Sequence, residues 1–112
     1  MSYNRDVISH PERNEIQLEG VLHALSDPVR LRIARELAET EGERPCGSFE
    51  FPVTKSTMTH HFKVLREAGV IRQRQEATLR LTSLRRADLD ARFPGLLDRI
   101  LEAANEEAAV RA

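Results

Sequence analysis

The segment from residue 54 to residue 69, TKSTMTHHFKVLREAG, places small hydrogen-bonding side chains at the start of one predicted amphipathic helix. Short hydroxyl, amide and imidazole groups can contact the edges of DNA bases in a major groove, where bulky apolar groups cannot. Helix spacing puts Met58, Phe62 and Leu65 on the other side, with His61 beside them. The segment therefore predicts a DNA-contacting helix over residues 55–68, and its candidate contacts are Lys55, Ser56, Thr57, Thr59, His60 and Lys63.

Basic side chains follow on a second predicted element, a two-stranded hairpin over residues 70–82. Arg72, Arg74 and Arg80 lie on this hairpin, where they can bind the DNA backbone or enter a narrow minor groove. Lys63, further along the preceding helix, suits a phosphate better than a base. Helix capping and a solvated basic edge would use the same residue types, so it is the order of the two elements that favours DNA binding.

Cys46 is the only cysteine, which excludes an internal disulfide. It follows shortly after Arg44, a cation that would favour the reactive thiolate and make Cys46 a possible redox site. The alternative is a small apolar side chain packed at a helix start. Asp88 and Asp90 have no nucleophile or phosphate loop near them in sequence, so they predict a solvated helix start and no catalytic pair.

The histidines do not predict a metal site. His60 and His61 are adjacent, and adjacent side chains on a helix point about 100° apart, so they do not readily share one ion. His60 is expected to face the groove and His61 to pack laterally. His10 and His23 fall near the predicted N-terminal arm and first helix, where packing is favoured over a metal ligand shared between two chains.

Apolar spacing and capping residues predict the first elements that position these side chains. A helix is expected over residues 14–25, followed by a second that begins at Pro28, with Asp27 as its N-cap. The stretch 46–54, CGSFEFPVT, predicts a short third helix that Pro52 limits to a turn or two.

The second half of the chain changes its period. Thr54 caps the DNA-contacting helix, and Gly69 is expected to end it in the left-handed conformation. Alternation then predicts the hairpin, and a short helical segment ends in a break at Phe93-Pro94. A last helix is expected over residues 94–109, and its apolar stripe comprises Leu96, Leu97, Ile100, Leu101 and Ala104.

Composition indicates one small, mostly helical domain, because the chain has 112 residues, of which 31% are charged and 4% aromatic. The net charge is −1, but residues 53–86 carry eight basic and two acidic residues, a net +6, while the remainder carries nine and sixteen, a net −7. This basic middle indicates a local polyanion-binding face. No signal segment and no stretch of about 18 apolar residues is present, which predicts a cytoplasmic protein without a membrane span.

Two segments carry a family resemblance: ALSDPVRLRIARELAE, residues 24–39, and STMTHHFKVLREAGVIRQRQE, residues 56–76. In this combination they closely resemble the ArsR-type (ArsR/SmtB) winged helix-turn-helix repressors of bacteria. The resemblance covers roughly residues 14–101. The predicted order of elements, with a polar-fronted helix followed by a basic hairpin, is also that of a winged helix-turn-helix.

The resemblance implies a homodimer that binds an inverted-repeat DNA operator through its two recognition helices. The first and last helices would form the dimer interface, with these candidate residues: Leu18, Leu22, Leu96, Leu97, Ile100 and Leu101. Metal-sensing members of the family use a Cys-x-Cys motif or Asp and His ligands on the last helix. Cys46 has no second cysteine and residues 94–109 contain no histidine, so no metal and no cofactor is expected.

The sequence thus predicts an α+β, mostly helical winged helix-turn-helix with a two-stranded wing. Residues 1–13 would form an N-terminal arm, residues 14–109 the DNA-binding and dimerisation domain, and residues 110–112 a tail. The predicted function is that of a dimeric transcriptional regulator, most simply a repressor, without enzymatic activity. A redox-responsive repressor using Cys46, a protein-interaction module without DNA binding, and an enzyme are the alternatives. Neither the operator nor the inducing ligand follows from the sequence.

Overall fold

Five α-helices and a short antiparallel sheet make up residues 8–111, the part of the chain that this computed structural model describes. The elements are, in order, α1 (Leu18–Leu25), α2 (Pro28–Ala38), β1 (Arg44–Pro45), α3 (Lys55–Glu67), β2 (Ile71–Glu76), β3 (Leu79–Leu84), α4 (Arg86–Arg92) and α5 (Leu96–Arg111). Two single 3-10 turns, Arg13–Glu15 and Cys46–Ser48, interrupt the connections. The architecture is α+β and mostly helical, as predicted.

Capping residues fix the starts of the two central helices where the sequence predicts them. The Asp27 carboxylate accepts hydrogen bonds from the N–H groups of Val29 and Arg30 at 2.8 and 3.1 Å, which satisfies backbone donors that have no partner within α2. Thr54 Oγ1 accepts from the N–H of Thr57 at 3.2 Å and caps α3 in the same way. The predicted caps of both helices are confirmed.

The first helix differs from its prediction, since α1 begins at Leu18 and not near residue 14. A separate 3-10 turn precedes it, closed by the Glu15 carboxylate, which accepts from the N–H of Glu12 at 2.7 Å. Ile16 then takes an extended conformation and inserts into the core with 1% of its surface exposed. The extended conformation continues through Gln17, and the Ile16 side chain packs against Gly69.

Of the short third helix predicted over residues 46–54, only one 3-10 turn, Cys46–Ser48, is present. Arg44 and Pro45 form strand β1, paired with β3, and one 3-10 turn follows before an irregular segment over residues 49–53. Pro45 and Pro52 stand at the two ends of this stretch, where each restricts the preceding residue and removes a helical N–H donor. The sheet therefore has three strands in the order β1-β3-β2, one more than predicted.

The wing itself is confirmed as an antiparallel hairpin of β2 and β3, which extends to Leu84, two residues past its predicted end. Ala77 makes the turn with a positive φ of 54°. Gly69 has φ 87° at the end of α3, so the left-handed helix end is confirmed as well.

The core includes residues of the last helix of the chain, α5, together with residues of α2 and α3. Leu97, Leu101 and Ala104 of α5 are buried together with Ile33 of α2 and Leu65 of α3. The predicted break before α5 is present, and α5 continues to Arg111, past residue 109. None of the helices between residues 8 and 111 combines the length and the apolar character that a membrane span requires.

The predicted arm over residues 1–13 is described only from residue 8 onward, because residues 1–7, like residue 112, lie outside the described residues. Its described part packs against the wing side of the molecule. The Pro11 carbonyl accepts a hydrogen bond from Arg85 Nη1 at 2.8 Å, and the His10 ring bonds the backbone of β2. This part of the chain is thus fixed to the domain.

Candidate nucleic-acid interface

Helix α3 has one buried and one exposed side. His61, Phe62 and Leu65 face the core, and Met58 is half-buried beside them. The exposed side carries all six of the predicted helix contacts: Lys55, Ser56, Thr57, Thr59, His60 and Lys63. Within residues 8–111, no hydrogen bond or ion pair engages the side chains of Lys55, His60 or Lys63. The structure therefore presents these groups to solvent together, as the sequence predicted.

Several hydroxyl groups at the start of α3 already make hydrogen bonds within the protein. Thr54 Oγ1 lies 2.9 Å from Thr57 Oγ1 and 3.2 Å from Ser56 Oγ, and the Thr59 hydroxyl donates to the Lys55 carbonyl oxygen at 3.0 Å. A hydroxyl has one proton to donate and two lone pairs. In this conformation Thr59 offers DNA an acceptor and a methyl group, while its donor is used within the helix.

Arg30 of α2 is a buried arginine, unexpected from the sequence, that connects α3 to α1 and α2 through hydrogen bonds. Arg30 Nε donates to the Ala24 carbonyl at 2.7 Å, Nη2 lies 3.4 Å from the His23 carbonyl, and Nη1 lies 3.2 Å from His61 Nδ1. Because a guanidinium only donates, His61 Nδ1 is the acceptor and its ring proton lies on Nε2. The lateral packing predicted for His61 is confirmed, next to the exposed His60. In the sequence, Arg30 lies three residues before Ile33 and seven before Leu37, a helical spacing that places it on the buried side of α2.

The three wing arginines do not share one surface. In the β2–β3 register Arg74 pairs with Leu81 and Gln75 with Arg80. Side chains alternate along a strand and cross-strand partners share a face, so Arg72 and Arg74 lie on one side of the wing and Arg80 on the other. The hairpin therefore cannot present all three guanidinium groups to one stretch of DNA backbone without a change of conformation.

Two of these arginines are already paired with carboxylates. Arg74 Nε lies 2.7 Å from Glu43 Oε2, and Arg74 Nη2 lies 2.7 Å from Glu43 Oε1. Arg74 Nη1 lies 2.6 Å from Glu76 Oε1. The hydrogen bond to Arg74 lowers the pKa of Glu43, and both carboxylates raise the pKa of Arg74 above its ordinary value. Glu43 precedes β1, and nothing in the sequence pattern indicates that it reaches the wing.

Asp88 lies in the first turn of α4, so its predicted place at a helix start is confirmed, but its side chain is paired with arginines and is not freely solvated. Its oxygens lie 2.7 Å from Arg13 Nε, 2.9 Å from Arg85 Nε and 3.4 Å from Arg72 Nη2. The hydrogen bond from Arg13 lowers the pKa of Asp88 against the opposing effect of burial, and Arg85 lowers it further. A half-buried carboxylate with three arginine neighbours is a structural tie between the N-terminal segment, the wing and α4.

The folded chain therefore neutralises much of the basic middle that the sequence shows. Asp98 adds another pair, with its carboxylate 2.6 Å from Arg86 Nη1. Among the candidate contacts within residues 8–111, Lys55, Lys63 and Arg80 have no carboxylate within 4.0 Å. The net charge of +6 over residues 53–86 overstates the positive field, because the acidic residues that balance it come from other segments.

Cys46 is held in a small polar cluster beneath the wing. Its Sγ lies 2.9 Å from Thr82 Oγ1 and accepts from Gln73 Nε2 at 3.0 Å. The Arg44 guanidinium lies over the Phe49 ring, 4.0 Å from its centre, and also bonds Ser48 and Glu36. Cys46 is also one of the residues that line a cavity of about 740 Å³ between residues 46–53 and α3.

The histidines are spread over separate sites. The rings of His60 and His61 are 6.2 Å apart, and His10 Nε2 accepts from the backbone N–H of Gln73 at 2.9 Å. Burial, together with Arg72, lowers the pKa of His10 and favours this neutral acceptor form. Over residues 8–111, no three His, Cys, Asp or Glu side chains are grouped so that they could hold a metal ion.

The predicted dimer residues divide into three groups by their exposure. Leu18 and Leu22 on α1 expose 44% and 46% of their surface, which is high for leucine. Leu97 and Leu101 expose 3% and 6%, so the structure assigns them to the core of their own chain and corrects their predicted place in the interface. Leu96 and Ile100 are half-buried against the same core. The helical period alone could not separate the inward side of α5 from a side left for a partner.

Three comparisons agree with this geometry. A family model described as a helix-turn-helix domain matches residues 25–74. An uncharacterized HTH-type transcriptional regulator of Bacillus subtilis (strain 168), YceK, is 36% identical over 80 residues, which span 70% of this chain and 80% of YceK. The crystal structure of the transcriptional repressor BigR from Xylella fastidiosa is 28% identical, with a TM-score of 0.54 over 68% of this chain and 85% of that one.

A further crystal structure, of an ArsR family transcriptional regulator, aligns with a TM-score of 0.60 over 85% of this chain and 97% of its own. Its identity of 18% shows a shared fold only. The helix order, the wing and the exposed side of α3 define a winged helix-turn-helix protein. The chain belongs to the helix-turn-helix (HTH-type) transcriptional regulators and is a DNA-binding regulator.

Proposed function

We propose that the chain is a homodimeric repressor that binds an inverted-repeat operator, with α3 in the major groove and the wing beside it. It would act in the cytoplasm by occupying DNA that other proteins need, without catalysis. The observation that carries the proposal is the exposed side of α3, where Lys55, His60 and Lys63 have no side-chain partner among residues 8–111, while the opposite side is buried. Groups kept in this state can exchange water for DNA without first breaking protein contacts.

Base reading and phosphate binding divide between the two ends of this exposed side. Ser56, Thr57, Thr59 and His60 lie near the helix start, the end that a recognition helix directs at base edges. Lys63 lies a turn further on, where a long cation suits a phosphate. Arg80, which has no carboxylate partner among residues 8–111, is the wing cation most available for DNA. Lys55, at the start of α3, can serve either role.

The dimer is proposed to form through α1. Leu18 and Leu22 lie one helical turn apart on the same side, and each leaves nearly half of its surface in water. Covering both side chains in a dimer would stabilise it by about 25 cal/mol for each Å² of apolar surface that is buried. Half-buried Leu96 and Ile100 of α5 could extend the contact, whereas Leu97 and Leu101 are used within the chain. Two protomers related by a twofold axis would then address half-sites roughly 34 Å apart.

Sedimentation and DNA binding test the proposal together. A duplex would first be selected from a random-sequence library by repeated binding to the purified protein. We expect an enriched inverted repeat, a dimer in sedimentation, and loss of both the dimer and tight operator binding in the Leu18→Lys/Leu22→Lys variant. Leu79→Lys is the matched control, since Leu79 exposes 49% of its surface on the wing and should leave the dimer intact.

Two outcomes would contradict the proposal. If the selection enriches no sequence and the protein binds no duplex, the chain is not an operator-binding repressor of this kind. If the double leucine variant sediments as the unmodified protein does, the dimer does not form through α1.

A further inference from the structure

We infer that Glu43 competes with DNA phosphates for Arg74 and thereby lowers the affinity of the regulator for DNA of every sequence. The inference rests on the DNA binding set out above and assigns a role to a residue that lies outside both α3 and the wing hairpin. Glu43 belongs to the connection between α2 and β1, and its carboxylate crosses the sheet to reach a side chain on the far strand.

Arg74 holds the Glu43 carboxylate in the same two-pronged geometry with which an arginine holds a phosphate. Arg74 presents Nε and Nη2 as a fork, and the two Glu43 oxygens meet this fork at 2.7 Å each. A guanidinium binds phosphate oxygens through the same parallel pair of N–H groups. Glu43 and a DNA phosphate therefore compete for the same donors of Arg74, and Arg74 cannot use this fork for both at once.

The sheet register explains why Glu43 arrives at this place. The strand order is β1-β3-β2, and Pro45 of β1 lies opposite Leu81 of β3, which in turn lies opposite Arg74 of β2. These three residues share one face of the sheet. Glu43 is two residues before Pro45, so strand alternation places it on that face too.

A second carboxylate reinforces the contact. Glu76, two residues along β2, lies 2.6 Å from Arg74 Nη1. One guanidinium between two carboxylates gives this part of the wing a local charge of −1, although the hairpin sequence alone suggests a cation there. A negative patch repels every duplex alike, because phosphates are the same in all sequences.

The consequence is weaker binding to all DNA, to the operator and to random sequence alike. Phosphate contacts strengthen binding to all DNA, while base contacts on α3 strengthen binding to the operator only. Withholding Arg74 from phosphates lowers the sequence-independent part and leaves the base contacts unchanged. Arg74 is therefore a reserve cation, released only when a phosphate displaces Glu43.

Salt-dependent DNA binding of Glu43→Gln tests the inference. The probes are a random-sequence duplex of about 30 base pairs and the duplex selected by the unmodified protein, each followed by fluorescence anisotropy over a series of KCl concentrations. For each phosphate gained, the slope of log K against log [salt] should steepen by about 0.9, and random-duplex affinity should rise about fivefold at about 0.15 M salt. In Glu43→Gln/Glu76→Gln the gain should be larger, and in Glu43→Gln/Arg74→Ala it should vanish.

Glu41→Gln is the matched control, because it removes the same charge two residues away, and within residues 8–111 Glu41 has no ion-pair partner. An equal effect of Glu41→Gln would show a general charge effect and overturn the inference. So would an unchanged slope and affinity in Glu43→Gln, if the unmodified protein binds the selected duplex normally. If neither the unmodified protein nor Glu43→Gln binds any duplex, the proposed function fails and this inference with it.

Discussion

Gly69 links the recognition helix to the wing, and replacing it with alanine should destabilise the protein through two separable effects. Its φ of 87° lies in the left-handed region, which costs about 1–2 kcal/mol for a residue with a side chain. A Cβ added there would also lie 2.6 Å from Ile16 Cγ1 and 2.8 Å from Cδ1, inside contact distance. Overpacking of this kind adds about 1–3 kcal/mol. The expected loss in the free energy of unfolding is therefore about 2–5 kcal/mol.

Gly95 offers a matched control, because it has a similar φ of 82° but nothing within 4 Å of an added Cβ. Gly95→Ala should cost only the backbone part, about 1–2 kcal/mol. In an Ile16→Ala background the clash partner is absent, so Gly69→Ala should there cost about as much as Gly95→Ala. Urea unfolding followed by circular dichroism gives all of these values. Equal losses for Gly69→Ala and Gly95→Ala in the unmodified background would refute the packing of Ile16 against the helix end.

Three further predictions concern the interface, the cap and the thiol. Thr59→Ala and His60→Ala should each weaken binding of the selected duplex by about 1–3 kcal/mol and leave binding of random DNA unaffected. Lys63→Ala should weaken binding of the selected duplex and of random DNA alike. If all three variants lose equal affinity for both duplexes, α3 does not read bases. Asp27→Ala should lower the free energy of unfolding by about 0.5–2 kcal/mol at neutral pH. Burial raises the pKa of Asp27, but the N–H donors that it caps lower the pKa, which lies below 3.8 overall. The stabilisation by the charged cap is therefore present above pH 3.8 and is lost as the pH falls through the lowered pKa. If Asp27→Ala still lowers the free energy of unfolding in acid, the charged cap is not the source of the loss. If Cys46 is a redox switch, Cys46→Ser should abolish the effect of peroxide on DNA binding, and a peroxide-insensitive unmodified protein would end that hypothesis.

Local signals were sufficient wherever one residue and its neighbours along the chain decide the structure. Asp27, Thr54 and Gly69 were predicted at helix ends because a side-chain acceptor or a missing Cβ acts within one turn. The polar and apolar sides of α3 followed from a period of 3.6 residues. The same local rules missed strand β1, just before residues 46–54, because it forms by pairing of Arg44 with Thr82 of β3, a residue far away in the sequence.

By itself, the sequence determined the order of the elements, the exposed side of the recognition helix and the presence of a basic hairpin. Only the tertiary structure decided which charges remain available, because Glu43 and Asp88 come from segments that folding brings to the wing. It also decided that Leu97 and Leu101 serve the core while Leu18 and Leu22 remain exposed. Charge pairing and burial depend on distances between residues far apart in the chain, and a one-dimensional pattern carries no information about those distances.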